Sequence, residues 1–446
     1  MKNFFETLSN IWKIEELKSR ILVTLGLLLV YRFGAQVVLP GIDTAQLGGL
    51  SDSTGQGILG ILNAFTGGAF ANASVFALGI MPYISASIVV QLMGIAIPYL
   101  QKLQKEGESG RKTINQITRW LTIGICIVQA PAYLYSLSAL GVPESAFLLG
   151  KGLNFIIPSV IILVSGCVFA MWLGEKITDK GIGNGISLLI MVGIIATMPQ
   201  SFVQEAVSRM DGNGGPMLIL VEVIVWFAVI FACILLVMAT RQIPVQYARR
   251  TASGGYEKNV MGSRQYIPLK LNASGVMPII FAQAIMFAPG LIGRTFNDTA
   301  VGQWMEVQFA DIFGLAYNIL FGLLIIIFTY FYTAITVPTN KMADDLKRSG
   351  GFIPGVRPGK ETGDFLDKIM SLITLPGSVF LALLAVLPAI VVKLMDVQAG
   401  WAMFYGGTSL LIMVGVAIDT VQQVNSYLLN RHYDGLMKSG KNRKVA

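Results

Sequence analysis

Arg32, Glu222 and Asp419 each lie inside a long apolar run, and a charge embedded in such a run is a functional candidate by default. The chemistry they could serve is proton relay, which calls for several carboxylates near one depth. These three are scattered. Glu222 falls about one turn from the end of its run, within reach of lipid headgroups, and Asp419 stands beside Gln422 and Gln423. Arg32 is placed deeper and needs a partner or water. Structural pairing, or the wall of a wet funnel, fits the set better than a relay. Other reactive patterns fail on spacing. Gly355-Val-Arg-Pro-Gly359-Lys360-Glu361 has one residue too few between its glycines for a phosphate loop and no Ser or Thr after the lysine, so it reads as a turn. Gly181-Ile-Gly-Asn-Gly185 follows no strand, which excludes a dinucleotide fingerprint. Cys126, Cys167 and Cys233 sit in apolar runs at spacings that fit neither a metal site nor a disulfide framework; they read as small packing residues. The single histidine, His432, lies in a polar tail. No metal, cofactor or enzymatic activity is expected, and any directional work must come from a partner or a gradient.

The elements that carry these residues are membrane spans. Of the 446 residues, 54% are hydrophobic and only 13% charged, with a mean hydropathy of +0.65; a soluble domain carries about a quarter charged residues. Runs long enough to cross a bilayer cover 21–39, 74–98, 120–140, 155–173, 184–198, 217–238, 275–292, 315–337, 370–392 and 405–428. Backbone groups in lipid must be satisfied internally, so all ten are expected to be helices. The segment before them has mixed charge and no cleavage site, and reads as an amphipathic interfacial helix with Phe5, Leu8, Trp12 and Leu17 on one side. Of the 33 Lys and Arg residues, 27 fall in the termini and alternate loops on one side and four on the other. By the positive-inside rule both termini are expected in the cytoplasm.

Ten spans with both ends inside divide as five plus five, 1–211 and 212–446, and an odd number per half makes the second half inverted. Such an architecture puts its path between the halves near the midplane. Coupled secondary transporters and polypeptide channels share it. Two features stand out from a bundle held only by packing. Residues 61–70 form an apolar, small-residue segment too short to span, which is either a re-entrant or interfacial turn or a short helix folded into a vestibule. The basic loops 240–273 and 338–369 are either docking surfaces or products of the positive-inside rule alone.

Six stretches, in order along the chain, then become specific. They are Leu39-Pro-Gly-Ile-Asp43; Phe76-Ala-Leu-Gly-Ile-Met-Pro-Tyr-Ile-Ser-Ala-Ser-Ile88 with Gln91-Leu92; Glu106-Gly-Glu-Ser-Gly-Arg111; Trp172-Leu-Gly-Glu175 with Gly181-Ile-Gly-Asn-Gly-Ile-Ser187; Ile353-Pro-Gly-Val-Arg-Pro-Gly359; and Tyr405-Gly-Gly-Thr-Ser-Leu-Leu-Ile412. Together they resemble the SecY family, the central channel subunits of the Sec protein translocon. The resemblance implies an all-α membrane protein with ten transmembrane helices in two inverted five-helix halves around a central pore. It implies that the pore passes unfolded polypeptides across the cytoplasmic membrane and releases transmembrane segments sideways into lipid. The plug would be Leu62, Asn63, Ala64, Phe65, Thr66, Gly67, Gly68, Ala69 and Phe70. The constriction ring would be Ile80, Ile84, Ile186, Ile190, Ile280 and Ile412. Ser85, Ser87, Gln91, Asn272 and Gln283 would be polar members of a lateral gate. Arg249, Arg250, Lys270 and Arg357 would lie in partner-binding loops, with Arg357 needed by the SecA motor and the ribosome. Implied partners are SecE-like and SecG-like membrane subunits, SecA, the ribosome with its rRNA, signal sequences, nascent chains and the bilayer. The chain departs from the family between Arg250 and Ile267, where Gly254-Gly-Tyr-Glu-Lys258 and Ser263-Arg-Gln-Tyr266 replace the family's Gln-Ser-Thr-His pattern.

Overall fold

A computed structural model of the chain describes residues 12, 14–43, 58–139, 142–148, 150, 152–210, 215–247, 265–295 and 299–442. Every one of the ten apolar runs contains a helix. In chain order the helices begin with α1 (Glu15–Gly34), the short α2 (Ile58–Thr66), α3 (Met81–Ala96), α4 (Pro98–Lys105), α5 (Glu108–Ala139), α6 (Leu153–Lys180) and α7 (Gly185–Met210). They continue with α8 (Gly215–Met238), strands β1 (Thr240–Tyr247) and β2 (Gln265–Lys270), α9 (Met277–Thr295), α10 (Ala300–Ala310), α11 (Leu315–Thr336), α12 (Thr339–Arg348), β3 (Gly351–Phe352) and α13 (Lys360–Met395). Last come α14 (Ala399–Ala402) and α15 (Gly407–Asn442). Among the described residues seven helices are each long and apolar enough to cross a membrane, and the pair α3–α4, bent by 102°, makes an eighth if it is counted as one span. The apolar stretch of α1 is flanked and interrupted by Lys18, Arg20 and Arg32, and that of α9 is shorter, over Met277–Met286. Of the four apolar residues that mark the amphipathic segment, Trp12, which is exposed, and Leu17, which is buried at the start of α1, lie within the described residues, and Phe5 and Leu8 lie outside them.

The chain forms two compact units. One comprises the described residues up to 210, with Gln398–Met403 and α15 from Ile412 onward; the other comprises Gly215–Val397 and Phe404–Leu411. In the first unit, α3 begins seven residues later than the apolar run suggests. Residues 74–80 are turns because their backbone is already engaged: Leu39 N–H donates to Ala73 O at 2.9 Å and Val75 N–H donates to Val37 O at 2.9 Å. Gly79 has φ +55°, so the helix can start only after it, and Pro82, which has no N–H to offer, is accommodated in the first turn of α3. It stops at Ile97, which is extended (φ −101°, ψ 116°) as the residue before a proline prefers. Pro98 then opens α4 in a new direction. Helices α6 and α7 make a close hairpin: a Cβ on Gly185 would lie 2.0 Å from Gly174 O. Without a hydrophobic drive between helices in lipid, such small-residue approaches are what hold spans together. An apolar cluster of Leu39, Phe70, Tyr133, Leu137, Phe147 and Phe155 joins the segments after α1 and α2 to α5 and α6.

The second unit holds what composition did not foretell, a three-stranded antiparallel sheet in the order β2-β1-β3. Thr240 pairs with Lys270, Ile243 with Ile267, and Gln246 with Phe352. Ile243, Val245 and Leu269 face inward onto Leu346 of α12, Ile353, and Leu366 and Met370 of α13. The described parts of the two large basic loops are therefore one packed platform rather than separate excursions. Where the platform meets the spans, backbones touch closely: a Cβ on Gly377 of α13 would lie 2.9 Å from Leu271 O.

Candidate functional site

The segment 61–70 folds as the C-terminal part of α2 followed by a closed turn. Its closure is polar. Asn63 Oδ1 accepts from Ala71 N–H at 3.0 Å, Asn63 O accepts from Gly68 N–H at 2.9 Å, and Thr66 Oγ1 accepts from Phe70 N–H at 3.1 Å. Gly67 and Gly68 adopt φ +66° and +87°, the left-handed region where a side chain is strained. Three spans hold this turn. Tyr133 of α5 donates its hydroxyl to Phe70 O at 2.8 Å and packs edge-on to the Phe70 ring at 4.9 Å. Gly193 of α7 lets the backbones meet, since a Cβ there would lie 2.7 Å from Phe65 O. Arg32 of α1 donates from Nη1 to Gly67 O at 2.8 Å. Phe65, Thr66, Gly67, Ala69 and Phe70 are buried, while Asn63, Ala64 and Gly68 are half-buried. Leu62 lies in α2.

Of the ring candidates in the first unit, Ile80, Ile190 and Ile412 are buried, and Ile84 and Ile186 are half-buried. Ile80 caps α3 and accepts from Ile84 N–H at 3.1 Å, so the two stand one turn apart as their spacing predicts. Ile186 lies over Gly174, where an added Cβ would be 2.8 Å from its Cγ1. Ile280, in α9 of the second unit, is half-buried. Among the gate candidates, Gln91 Nε2 donates to Ser87 Oγ at 3.2 Å, and Ser85 is half-buried on the same helix. In the second unit Ser274 Oγ donates to Asn272 Oδ1 at 3.2 Å, and Gln283 is buried in α9.

The platform presents Lys270 exposed at the end of β2. Arg357 stands exposed on the turn before α13, which Thr362 fixes by donating to Arg357 O at 2.8 Å. Its guanidinium lies 3.8 Å from the Glu361 carboxylate in an open ion pair, too exposed to hold the arginine in place. Arg249 and Arg250 lie outside the described residues.

Sequence reasoning misjudged Glu222. It is 1% exposed within α8 rather than free to reach headgroups. It also missed the Asn63 side chain as the acceptor that closes the turn, Tyr133 as its anchor, and the Gly67 carbonyl as the partner that Arg32 requires. An Asn in an otherwise apolar helix just ahead of Gly-Gly was the available signal. Also unforeseen is a buried ion contact on α7, with Arg209 Nε 2.8 Å from Glu205 Oε1. The other carboxylate oxygen of Glu205 accepts from Gln398 N–H at 2.9 Å, and Trp401 packs edge-on against Phe202 at 5.1 Å. Together these fasten segment 398–403 to α7.

The family model described as SecY matches residues 74–421. The chain is 38% identical to the protein translocase subunit SecY of Haemophilus influenzae over 428 residues, covering 95% of this chain and 94% of that one. It is 37% identical to that of Bacillus licheniformis over 440 residues, covering 97% and 100%. Among solved structures, it is similar to one described as a protein-conducting channel (TM-score 0.59, 17% identity, 92% of both chains). It is similar also to one concerned with the plug domain of the SecY protein (TM-score 0.61, 17% identity, 92% of both chains). At such identities the structural likeness is one of fold.

Proposed function

We propose that this chain, which belongs to the SecY family, is the pore subunit of a protein-conducting channel in the cytoplasmic membrane. Unfolded secretory polypeptides pass through it, and apolar segments leave it sideways into lipid. The observation that carries the reading is the closed, buried turn at 63–70. A short apolar helix that cannot span is seated by three spans at once, and such an element has no use in a simple bundle but suits a stopper for a wide, unselective path. In this reading Leu62 to Phe70 are the plug, and Ile80, Ile84, Ile186, Ile190, Ile280 and Ile412 form the constriction. Branched aliphatic side chains give a solute no grip, yet they exclude water and ions and yield to a passing chain. Ser85, Ser87, Gln91, Asn272 and Gln283 line the side exit, where amide contacts in lipid are worth only about 0.6–2 kcal/mol and can be displaced by an entering apolar segment.

The spans divide into inverted halves, 1–211 and 212–446, with both termini and the basic platform in the cytoplasm. Arg249, Arg250, Lys270 and Arg357 dock partners there: a SecA-type motor ATPase and the ribosome, whose rRNA phosphates suit basic loops. The Sec61 channel, similar to this chain at a TM-score of 0.59, was solved in a canine ribosome–channel complex. SecE-like and SecG-like subunits complete the assembly.

Reconstitution tests this function. Vesicles holding the purified complex, given motor ATPase, ATP and an unfolded secretory polypeptide, are expected to shelter that polypeptide from added protease. No sheltered polypeptide, with ion-coupled uptake of a small solute instead, would establish a transporter.

A further inference from the structure

Arg32 stands in the last turn of α1, half-buried, and a guanidinium within a span needs an acceptor. The acceptor it has is not a carboxylate. It is the carbonyl oxygen of Gly67, 2.8 Å from Nη1 and one residue beyond the end of α2. Carbonyls at a helix C-terminus lack intrahelical donors and carry partial negative charge, so a cation there satisfies an orphan acceptor and complements the helix dipole together. The geometry leaves no slack. A Cβ on Gly67 would lie 2.5 Å from Arg32 Nη1 and 2.8 Å from Gly193 Cα, so the peptide is gripped between a charge on α1 and bare backbone on α7.

We propose that Arg32 is the latch of the plug, a positioning residue whose bond to Gly67 O sets how firmly α2 stays seated and so how seldom the pore opens unprompted. The proposal rests on the plug reading given above. Apolar contacts of Phe65 and Phe70 also hold the segment, but they are non-directional and a passing chain can replace them. A charge-assisted bond to one carbonyl is lost as soon as the segment shifts, which gives the seated state a sharp threshold. The alternative is that Arg32 merely solvates itself and Gly67 is a convenient acceptor.

The test uses the complete complex with its natural subunits, in planar bilayers, with Arg32→Met, Arg32→Lys, Gly67→Ala, the double variant Arg32→Met/Gly67→Ala, and a deletion of 58–70. Resting ion conductance is one readout. The other is the labelling rate of Ala64→Cys by a membrane-impermeant thiol reagent in each background that retains residue 64. Losing a charge-assisted bond is expected to raise both in Arg32→Met on the order of tenfold, with Arg32→Lys between it and the parent. Gly67→Ala is expected to act in the same direction, and the double variant to leak no more than the stronger single, because both break one contact. Should Arg32→Met fail to assemble, Arg32→Lys and Gly67→Ala decide, and parental conductance in both overturns the latch. Parental conductance and labelling in an assembled Arg32→Met, while the deletion leaks, overturns the latch and leaves the plug standing. A deletion that does not leak removes the plug reading and the latch with it.

Discussion

In the proposed channel the isoleucines of the constriction and the residues that close the turn at 63–70 divide the work of sealing in two, and their chemistry differs accordingly. Ile80, Ile190 and Ile412 are buried aliphatics whose value is shape and dryness, whereas Asn63, Thr66 and Arg32 act through directed bonds to backbone. Changing Ile84, Ile190 and Ile412 together to asparagine is expected to wet the path and add ion conductance in a planar bilayer. If these residues only pack the bundle, the triple variant instead loses folded protein and adds no conductance; a folded variant with parental conductance removes them from the constriction. At this scale the sequence was only partly legible. The spacing of Ile80 and Ile84 predicts one face, and Ile84 N–H does donate to Ile80 O. That Arg32 would find a carbonyl 35 positions away was not readable, because such a contact depends on where two distant backbones cross.

At the scale of elements, length and apolarity located a helix in each of the ten runs, since lipid admits few alternatives. The failures came where long-range pairing consumed backbone groups. The bridge between Val38 and Ser74 delayed α3 behind the apolar run, and nothing in Phe76-Ala-Leu-Gly-Ile80 distinguishes a turn from a helix by composition. The sheet was only half legible: Ile243 and Val245 are buried between exposed Gln242 and Pro244 on β1, but a proline between them argues against a central strand, and so short a period is hidden among long apolar runs. The most consequential unread element is segment 398–403, fastened by Glu205. Its carboxylate is 1% exposed, so removing only the cation leaves a buried charge unpaired, a change that costs about 3–5 kcal/mol. Arg209→Met is therefore expected to lower the melting temperature of the detergent-solubilised protein sharply, and Glu205→Gln/Arg209→Met to recover much of the loss. Equal destabilisation by the single and the double variants would show that the segment is held by the Phe202–Trp401 contact and not by the carboxylate.

For the whole molecule, the proposed function needs one asymmetry, that every large basic loop faces the compartment where polypeptides are made. The platform built from β1, β2, β3, α12 and the start of α13 shares a single apolar core, so Lys270 and Arg357 must lie on the same side, which the sequence could argue only from charge counting. The proposed inverted halves and orientation rest on that counting, because 27 of 33 basic residues fall on one side of the ten runs and loops rich in Lys and Arg are retained inside. Single cysteines in an otherwise cysteine-free background test it in intact cells with a membrane-impermeant thiol reagent. Asp52→Cys and Asn213→Cys are expected to react from outside. Gly107→Cys and Arg357→Cys are expected to resist until the membrane is opened, when Arg357→Cys should label readily because its turn is exposed. Labelling of Arg357→Cys in sealed cells would put the platform on the far side, where neither a ribosome nor a cytoplasmic motor could reach it, and the channel reading could not survive that result.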